Sequence, residues 1–369
     1  MTLATHPTPL SNPMNRRASL QLIGAGLTGC LGVLPRLAFG QITNNRTGNL
    51  TMVDDANRSI ALTAPARRVL AAGAPAAVFS YAIAPSSLLG WPRALRPNEK
   101  PYVHPSVRDL PGTGLLTGRG GEVNLETILR LRPDLIVDIG STAPVYVDLA
   151  NRIQQATGIP MALLSGRFED SAKTFSTLSR LMGQAARGDS LAARTTALLD
   201  KAKTLTESLS LGDRPSVYLA RGVDGLETAS PGSINGEIIE YAGGFNALSA
   251  LGPAPRSIVR VSMETLYRLN PQVIVTWDEL FYRQLPTNPL WADLQAVKAK
   301  QVYLSPIVPF GWIDRPPSVN RLIGLRWLQQ KLHPTRFNGQ IDQEVQAFFK
   351  DFYSVALSTD QIRSLLQAI

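Results

Sequence analysis

Residues 123–138 read VNLETILRLRPDLIVD, and residues 261–276 read VSMETLYRLNPQVIVT. Eight of the 16 aligned positions are identical, at an offset of 138 residues. That spacing is too long for a solenoid repeat and fits a duplicated lobe. Each copy carries the same local instructions. Asn124 and Ser262 are good N-caps. Apolar residues follow at helical spacing: Leu125, Ile128 and Leu129 in one copy, Met263, Leu266 and Tyr267 in the other. Pro133 and Pro271 end the helices. Residues 135–137 and 273–275 are continuous apolar runs, which suit strands buried on both faces of a parallel sheet.

Working outward, residues 68–71, 162–164, 216–220 and 301–304 read as further short strands between helices. Alternating strands and helices predict α/β lobes. The stretch between the two halves differs. One helix is expected over 171–183 and a second over 189–209, where Leu191, Leu198, Leu199, Ala202, Leu205 and Leu209 recur at helical spacing. About 21 residues at ~1.5 Å each span roughly 30 Å, enough for a stiff strut between lobes. The sequence LGDRP at 211–215 breaks it. Helices over 316–332, 340–354 and 358–368 end the chain.

The first 40 residues read as an export signal. Arg16 and Arg17 open a twin-arginine-like segment, a glycine-rich apolar run covers 20–33, and no acid precedes Asp54. Small residues at 38 and 40 predict cleavage before Gln41. The alternative is a lipoprotein-like box ending at Cys30, which would anchor the protein by a lipid. Cys30 is the sole cysteine of the 369 residues, so an internal disulfide or cysteine-rich metal site is excluded. Removing residues 1–40 takes away three arginines and no acid, lowering the net charge from +9 to +6. That balance suits an anionic ligand or partner. The basic residues are scattered, without the runs that track nucleic-acid phosphates. The organisation expected is thus a signal at 1–40, an N-terminal α/β lobe at 41–170, a helical linker at 171–212, and a C-terminal α/β lobe with the final helices at 213–369.

Several stretches together resemble the siderophore- and cobalamin-type substrate-binding proteins of ABC importers. Residues 54–62 and 65–69 are similar to that family's opening hairpin and first strand, and 112–138 to its "G…NLE…L…PDLIV" segment. Ala242–Asn246 (AGGFN) resembles its "GG-x-N" helix end, and 312–334 a tail of iron-complex members. The likeness covers nearly all of the exported chain. It implies two Rossmann-like α/β lobes joined by a single long helix, the class III periplasmic binding protein arrangement, with the ligand cleft between lobes and little lobe movement. It implies a periplasmic monomer that hands its ligand to a permease dimer with its ATPase.

The resemblance also implies one docking glutamate per lobe. The matching positions are Glu126 and Glu264, at equivalent places in the repeat. Carboxylates suit arginine pockets because the pairing is bidentate and directional. Both glutamates also stand in the first turn after an N-cap, where a negative charge favours the helix dipole by roughly 0.3–1 kcal/mol.

In open α/β sheets ligands lie beyond the carboxyl ends of the strands. That rule selects loops containing Trp91, Arg167, Arg221, Trp277, Tyr282, Arg283 and Trp312 as candidate ligand contacts. The aromatic residues suit stacking on a planar chelate, and the arginines its negative charge. Each of these residues has an alternative role in the core or at the surface. Beyond the signal only His104 and His333 remain, too few for a bare zinc or manganese site. An already chelated metal, a ferric siderophore by preference, is the expected ligand, with no intrinsic cofactor. Cobalamin, haem or an oxyanion such as molybdate are alternatives. Tyr102 and His104 are candidate iron ligands only for haem, and a structural role for them is the other reading. The glycines at 112, 114 and 118 have the wrong spacing and flanks for a dinucleotide loop. No enzyme motif is present: the chain lacks a G-x-S-x-G elbow, a Walker loop and the cysteines of an iron–sulfur site. A sensor partner or a two-lobed enzyme are the remaining rivals.

Overall fold

The computed structural model describes residues 43–44, 49–118, 124–337 and 341–367. The expectations on residues 1–40, including Arg16, Arg17 and Cys30, lie outside the described residues, as does Val123.

The repeat supplies the central strand of each lobe. In the first lobe Leu135–Gly140 runs parallel between Val69–Ala71 and Met161–Ser165. In the second, Val273–Thr276 runs parallel between Ser216–Ala220 and Val302–Leu304, with Phe245–Asn246 at the edge. The central strands are buried on both faces apart from half-buried Gly140, as expected of parallel strands flanked by helices. The capping logic holds in both copies. Asn124 accepts a hydrogen bond from the Thr127 N–H and Ser262 from the Thr265 N–H. Arg132 and Asn270, the residues before the prolines, both close their helices in the left-handed conformation (φ 46° and 38°).

The two lobes are joined by Ala185–Glu207, a helix of 23 residues that spans about 34 Å at ~1.5 Å per residue. It packs along Ser171–Leu181, with Leu191 and Thr195 fully buried. A continuous core runs through both lobes beneath this pair, and a smaller cluster fills the outer face of each sheet. Among the described residues no helix is long and apolar enough to cross a membrane.

The tail departs from the expected boundary at 213–369. Arg321–Leu332 stays with the second lobe, but Ile341–Tyr353 crosses back onto the first. Its Phe349, Phe352 and Tyr353 pack against Tyr102, Phe175 and Tyr81 at centroid distances of 6.2, 5.9 and 5.3 Å. Tyr81 Oη donates to the Tyr353 carbonyl at 2.7 Å. Arg187 of the interlobe helix donates to the carbonyls of Asp351 at 2.6 Å and Ala82 at 3.2 Å. The amphipathic helix needs an apolar partner, and the first lobe offers its aromatic face. The helix expected from 316 begins at 321, after Pro316 and Pro317.

Candidate functional site in the interlobe cleft

The strand ends of both sheets open onto one cleft, which holds two cavities of about 500 Å³ each. They lie side by side. Ala74 and Pro316 line one, and their chain neighbours Pro75 and Pro317 line the other.

The first cavity is aromatic. Trp91, Leu95 and Val78 face it from the first lobe; Trp277, Ile307, Phe310 and Arg315 face it from the second. Trp91 is locked in place. Its Nε1 donates to the Val107 carbonyl at 2.8 Å, and its ring meets Phe310 at 5.3 Å and Tyr81 at 5.5 Å. The loop at 111–114 is pinned against it, the Thr113 N–H donating to the Trp91 carbonyl at 2.7 Å. Two guanidinium groups lie near the Trp277 ring, Arg315 at 4.6 Å and Arg221 at 5.9 Å from its centroid. Arg315 is exposed and forms no ion pair among the described residues. The acids around this cavity are already committed. Glu99 is held by Arg93 at 2.6 and 2.8 Å, and Glu279 by Arg283 at 2.6 Å. Asp278 caps its own helix, accepting from the Phe281 N–H at 3.0 Å.

The second cavity is polar. It is lined by the loop after Leu135–Gly140, the loop after Met161–Ser165 with Arg167, and the second-lobe segments 232–235 and 256–257. Its floor depends on two glycines. The Gly166 N–H donates to the Gly140 carbonyl at 2.8 Å, and a Cβ on Gly166 would stand only 2.8 Å from the Gly140 Cα.

Buried charges tie the lobes together behind these cavities. Arg321 of the second lobe donates to Glu237 at 3.0 Å, to the Ile234 carbonyl at 2.8 Å, and across the cleft to the Gly166 carbonyl at 2.8 Å. Glu237 in turn accepts from the first-lobe Phe168 N–H at 2.5 Å. Asp314 pairs with Arg221 at 2.9 Å and accepts from Asn235 Nδ2 at 2.6 Å. Burial pushes the Glu237 and Asp314 carboxyls above their ordinary values, and their arginine partners oppose that shift.

Trp91 and Trp277 line the aromatic cavity and Arg167 the polar one. Arg221 stands behind Trp277, paired with Asp314. The other three expected contacts are corrected by the structure. Trp312 is 1% exposed and packed in the core, its backbone held by the Pro306 carbonyl. Arg283 is drawn along its own helix by Glu279. Tyr282, on that same helix, lines neither cavity. Tyr102 is buried against Phe349, and His104 caps the turn at Pro105–Val107 through the Ser106 N–H, so both serve local structure. Arg315 and Arg256 were missed. Both lie in irregular proline-flanked loops, and the proline beside each was the available signal. Glu126 and Glu264 are exposed in the first turns of Leu125–Leu131 and Met263–Leu269. Leu129 and Tyr267, half a turn to a turn away, are exposed apolar residues beside them.

Comparison with known proteins agrees with this architecture. The ABC transporter solute binding protein of Sulfurospirillum deleyianum superposes with a TM-score of 0.78 at 29% identity, over 86% of this chain and 99% of that one. The molybdate-binding protein MolA of Haemophilus influenzae is 26% identical over 66% of this chain and 74% of its own length. The Fe(3+)-citrate-binding protein YfmC of Bacillus subtilis is 24% identical over 50% of this chain and 58% of its own. Residues 87–307, more than half of the chain, match the periplasmic binding protein pattern. The chain belongs to the periplasmic binding protein family, as a substrate-binding protein of the ABC-importer type and a carrier rather than an enzyme.

Proposed function

We propose that the cargo is an anionic metal chelate of the ferric siderophore class, carried in the aromatic cavity and delivered from the periplasm to a permease dimer with its ATPase. The observation that carries this reading is Arg315 over Trp277, 4.6 Å from the ring centroid, in the wall of an apolar cavity of about 500 Å³. A volume between ~300 and ~1,000 Å³ with apolar walls and few polar groups is the ordinary form of a small-ligand site. A stacked guanidinium with no carboxylate partner offers charge without flexibility, which an anionic planar ligand uses. A relative named for ferric citrate supports the same class. Glu126 and Glu264, exposed at equivalent places in the two lobes, are the proposed docking contacts. Export through the signal at 1–40 belongs to the same proposal.

Tryptophan fluorescence tests it. The protein is titrated with ferric siderophores, ferric citrate, free ferric iron, cobalamin and haem, with calorimetry for the strongly absorbing ligands. Saturable quenching by a ferric chelate, lost in Trp277→Ala and absent with free iron, is expected. Binding of cobalamin or haem with ferric chelates silent overturns the cargo assignment and keeps the carrier role.

A further inference from the structure

The duplicated unit keeps more than its fold. Most positions identical between its two copies have a structural reason. Thr127 and Thr265 give the N–H groups that the caps receive. Leu131 and Leu269 are half-buried, and Pro133 and Pro271 follow the helix ends. Ile136, Val137, Ile274 and Val275 are core residues of the central strands. Glu126 with Glu264 and Arg130 with Arg268 have no such reason. All four are exposed, and none of their side chains makes an ion pair or hydrogen bond with the described residues. A glutamate four residues before an arginine is the usual intrahelical ion pair, yet neither copy closes it. Between them stands an exposed apolar residue, Leu129 in one copy and Tyr267 in the other. Positions i, i+3 and i+4 share one helix face. Each lobe therefore presents a carboxylate, an apolar side chain and a guanidinium together, in the same order. The neighbouring exposed charges are not kept: Arg132 and Asp134 have Asn270 and Gln272 as counterparts.

We infer that Arg130 and Arg268 are the second charged contact of each lobe with the permease dimer. Each permease subunit would meet them with a carboxylate, about 6 Å from the group that takes the glutamate. The inference rests on the docking reading proposed above and adds the chemistry of the partner to it. Two lobes with the same charges in the same order fit a partner that is itself two-fold symmetric, because each subunit offers the same complement. One charge per lobe pairs with any opposite charge in reach. Charges of both signs one helical turn apart accept only a matching pair and reject a shifted one, in which like charges face each other. Leu129 and Tyr267 give that contact its apolar centre. A cation in the last turn of a helix also complements the helix dipole. That role is local and needs no partner, so a docking measurement separates the two.

The test is binding of the cargo-loaded full chain to its permease and ATPase in nanodiscs, with melting temperature and chelate affinity measured on every variant. Arg130→Glu/Arg268→Glu is expected to weaken binding at least tenfold while leaving chelate affinity unchanged. Arg130→Lys/Arg268→Lys is expected to retain most of it. Lys201→Glu/Lys350→Glu makes the same change in net charge at exposed residues elsewhere, and is expected to bind like the parent. Glu126→Arg/Glu264→Arg tests the underlying reading separately. If that variant fails to dock while Arg130→Glu/Arg268→Glu docks normally, the inference falls and the glutamate contacts stand. If both dock normally, the docking reading fails and takes the inference with it. Equal loss in the lysine control would assign the effect to net charge and overturn the inference. So would binding to phosphatidylglycerol vesicles without permease that is lost in Arg130→Glu/Arg268→Glu, since the arginines would then serve a lipid surface.

Discussion

Arg321 and Glu237 meet at 3.0 Å with side chains 1% and 6% exposed, and between them they grip both lobes. Arg321 reaches the Gly166 carbonyl, and Glu237 receives the Phe168 N–H. Burial lowers the affinity of Arg321 for its proton, and the Glu237 carboxylate opposes that effect. Removing one partner of such a pair leaves an uncompensated buried charge, at a cost of about 3–5 kcal/mol. Arg321→Ala is therefore expected to lower the free energy of urea unfolding by that amount. The double variant Arg321→Met/Glu237→Gln is expected to recover a large part of it. If Arg321→Ala unfolds at the parent's urea midpoint, the pair does not hold the lobes.

Two of the three tryptophans expected at the cleft, Trp277 and Trp312, separate binding from folding. Trp277 lines the aromatic cavity, whereas Trp312 lies in the core. Arg315→Ala is expected to weaken chelate binding about tenfold to a hundredfold, the range of a hydrogen bond to a charged group of ~1.5–3 kcal/mol. Trp312→Phe is expected to lower the unfolding midpoint and leave chelate affinity unchanged. Arg283→Ala is expected to leave the melt unchanged, since the pair with Glu279 is exposed on both sides, and to weaken chelate binding modestly because it frees the Glu279 carboxylate in the cavity wall. Titrations paired with thermal melts on the three variants check this pattern.

The parts of the structure legible in the sequence are those specified locally. The N-caps at Asn124 and Ser262, the proline stops and the apolar strands recur in both copies, so each central strand was found without reference to its neighbours. The interlobe helix, expected over 189–209 and observed over Ala185–Glu207, was legible because Leu191, Leu198, Leu199, Ala202 and Leu205 keep helical spacing along it. What was not legible depends on tertiary direction. The helix Ile341–Tyr353 has an evident apolar face, but nothing in that face says which lobe it covers. Trp277 and Trp312 both follow strands in the second lobe. The turn at 308–316 folds Trp312 inward and leaves Phe310 and Arg315 at the cavity. Arg256 lies in an irregular stretch where no periodicity guides a reading.

Glu126 and Glu264 are exposed and occupy the same position after equivalent N-caps. Their dipole interaction is worth only about 0.3–1 kcal/mol each, so replacement barely affects folding. A charge reversal against arginine pockets is far more costly at an interface. Glu126→Arg/Glu264→Arg is expected to abolish uptake in vesicles reconstituted with the permease and its ATPase, with chelate affinity unchanged. Each single variant is expected to retain partial uptake. Normal uptake by the double variant would remove the docking role.

Glu240 makes stability depend on pH near neutrality. It lies in the short helix Ile238–Tyr241, its backbone carbonyl accepting from Thr206 Oγ1 at 3.4 Å near the end of the interlobe helix. Its Oε2 is buried without a partner. Burial, reinforced by the nearby Glu237 charge, pushes its carboxyl up to about 7. The sign follows from which state ionises first. Below pH ~4 both folded and unfolded chains hold this proton, and Glu240 contributes no pH dependence. As pH rises from 4.5 to about 7, the unfolded chain releases the proton while the folded chain keeps it, so stability falls. Above that window the folded chain carries the buried charge and the loss is complete. Glu240→Gln removes the ionisation and keeps the size of the side chain. It is expected to raise the melting temperature at pH 8 by several degrees and to change it little at pH 4.5. A variant that melts with the parent at both values would mean that Glu240 reaches water in the folded chain and ionises there at its ordinary pH.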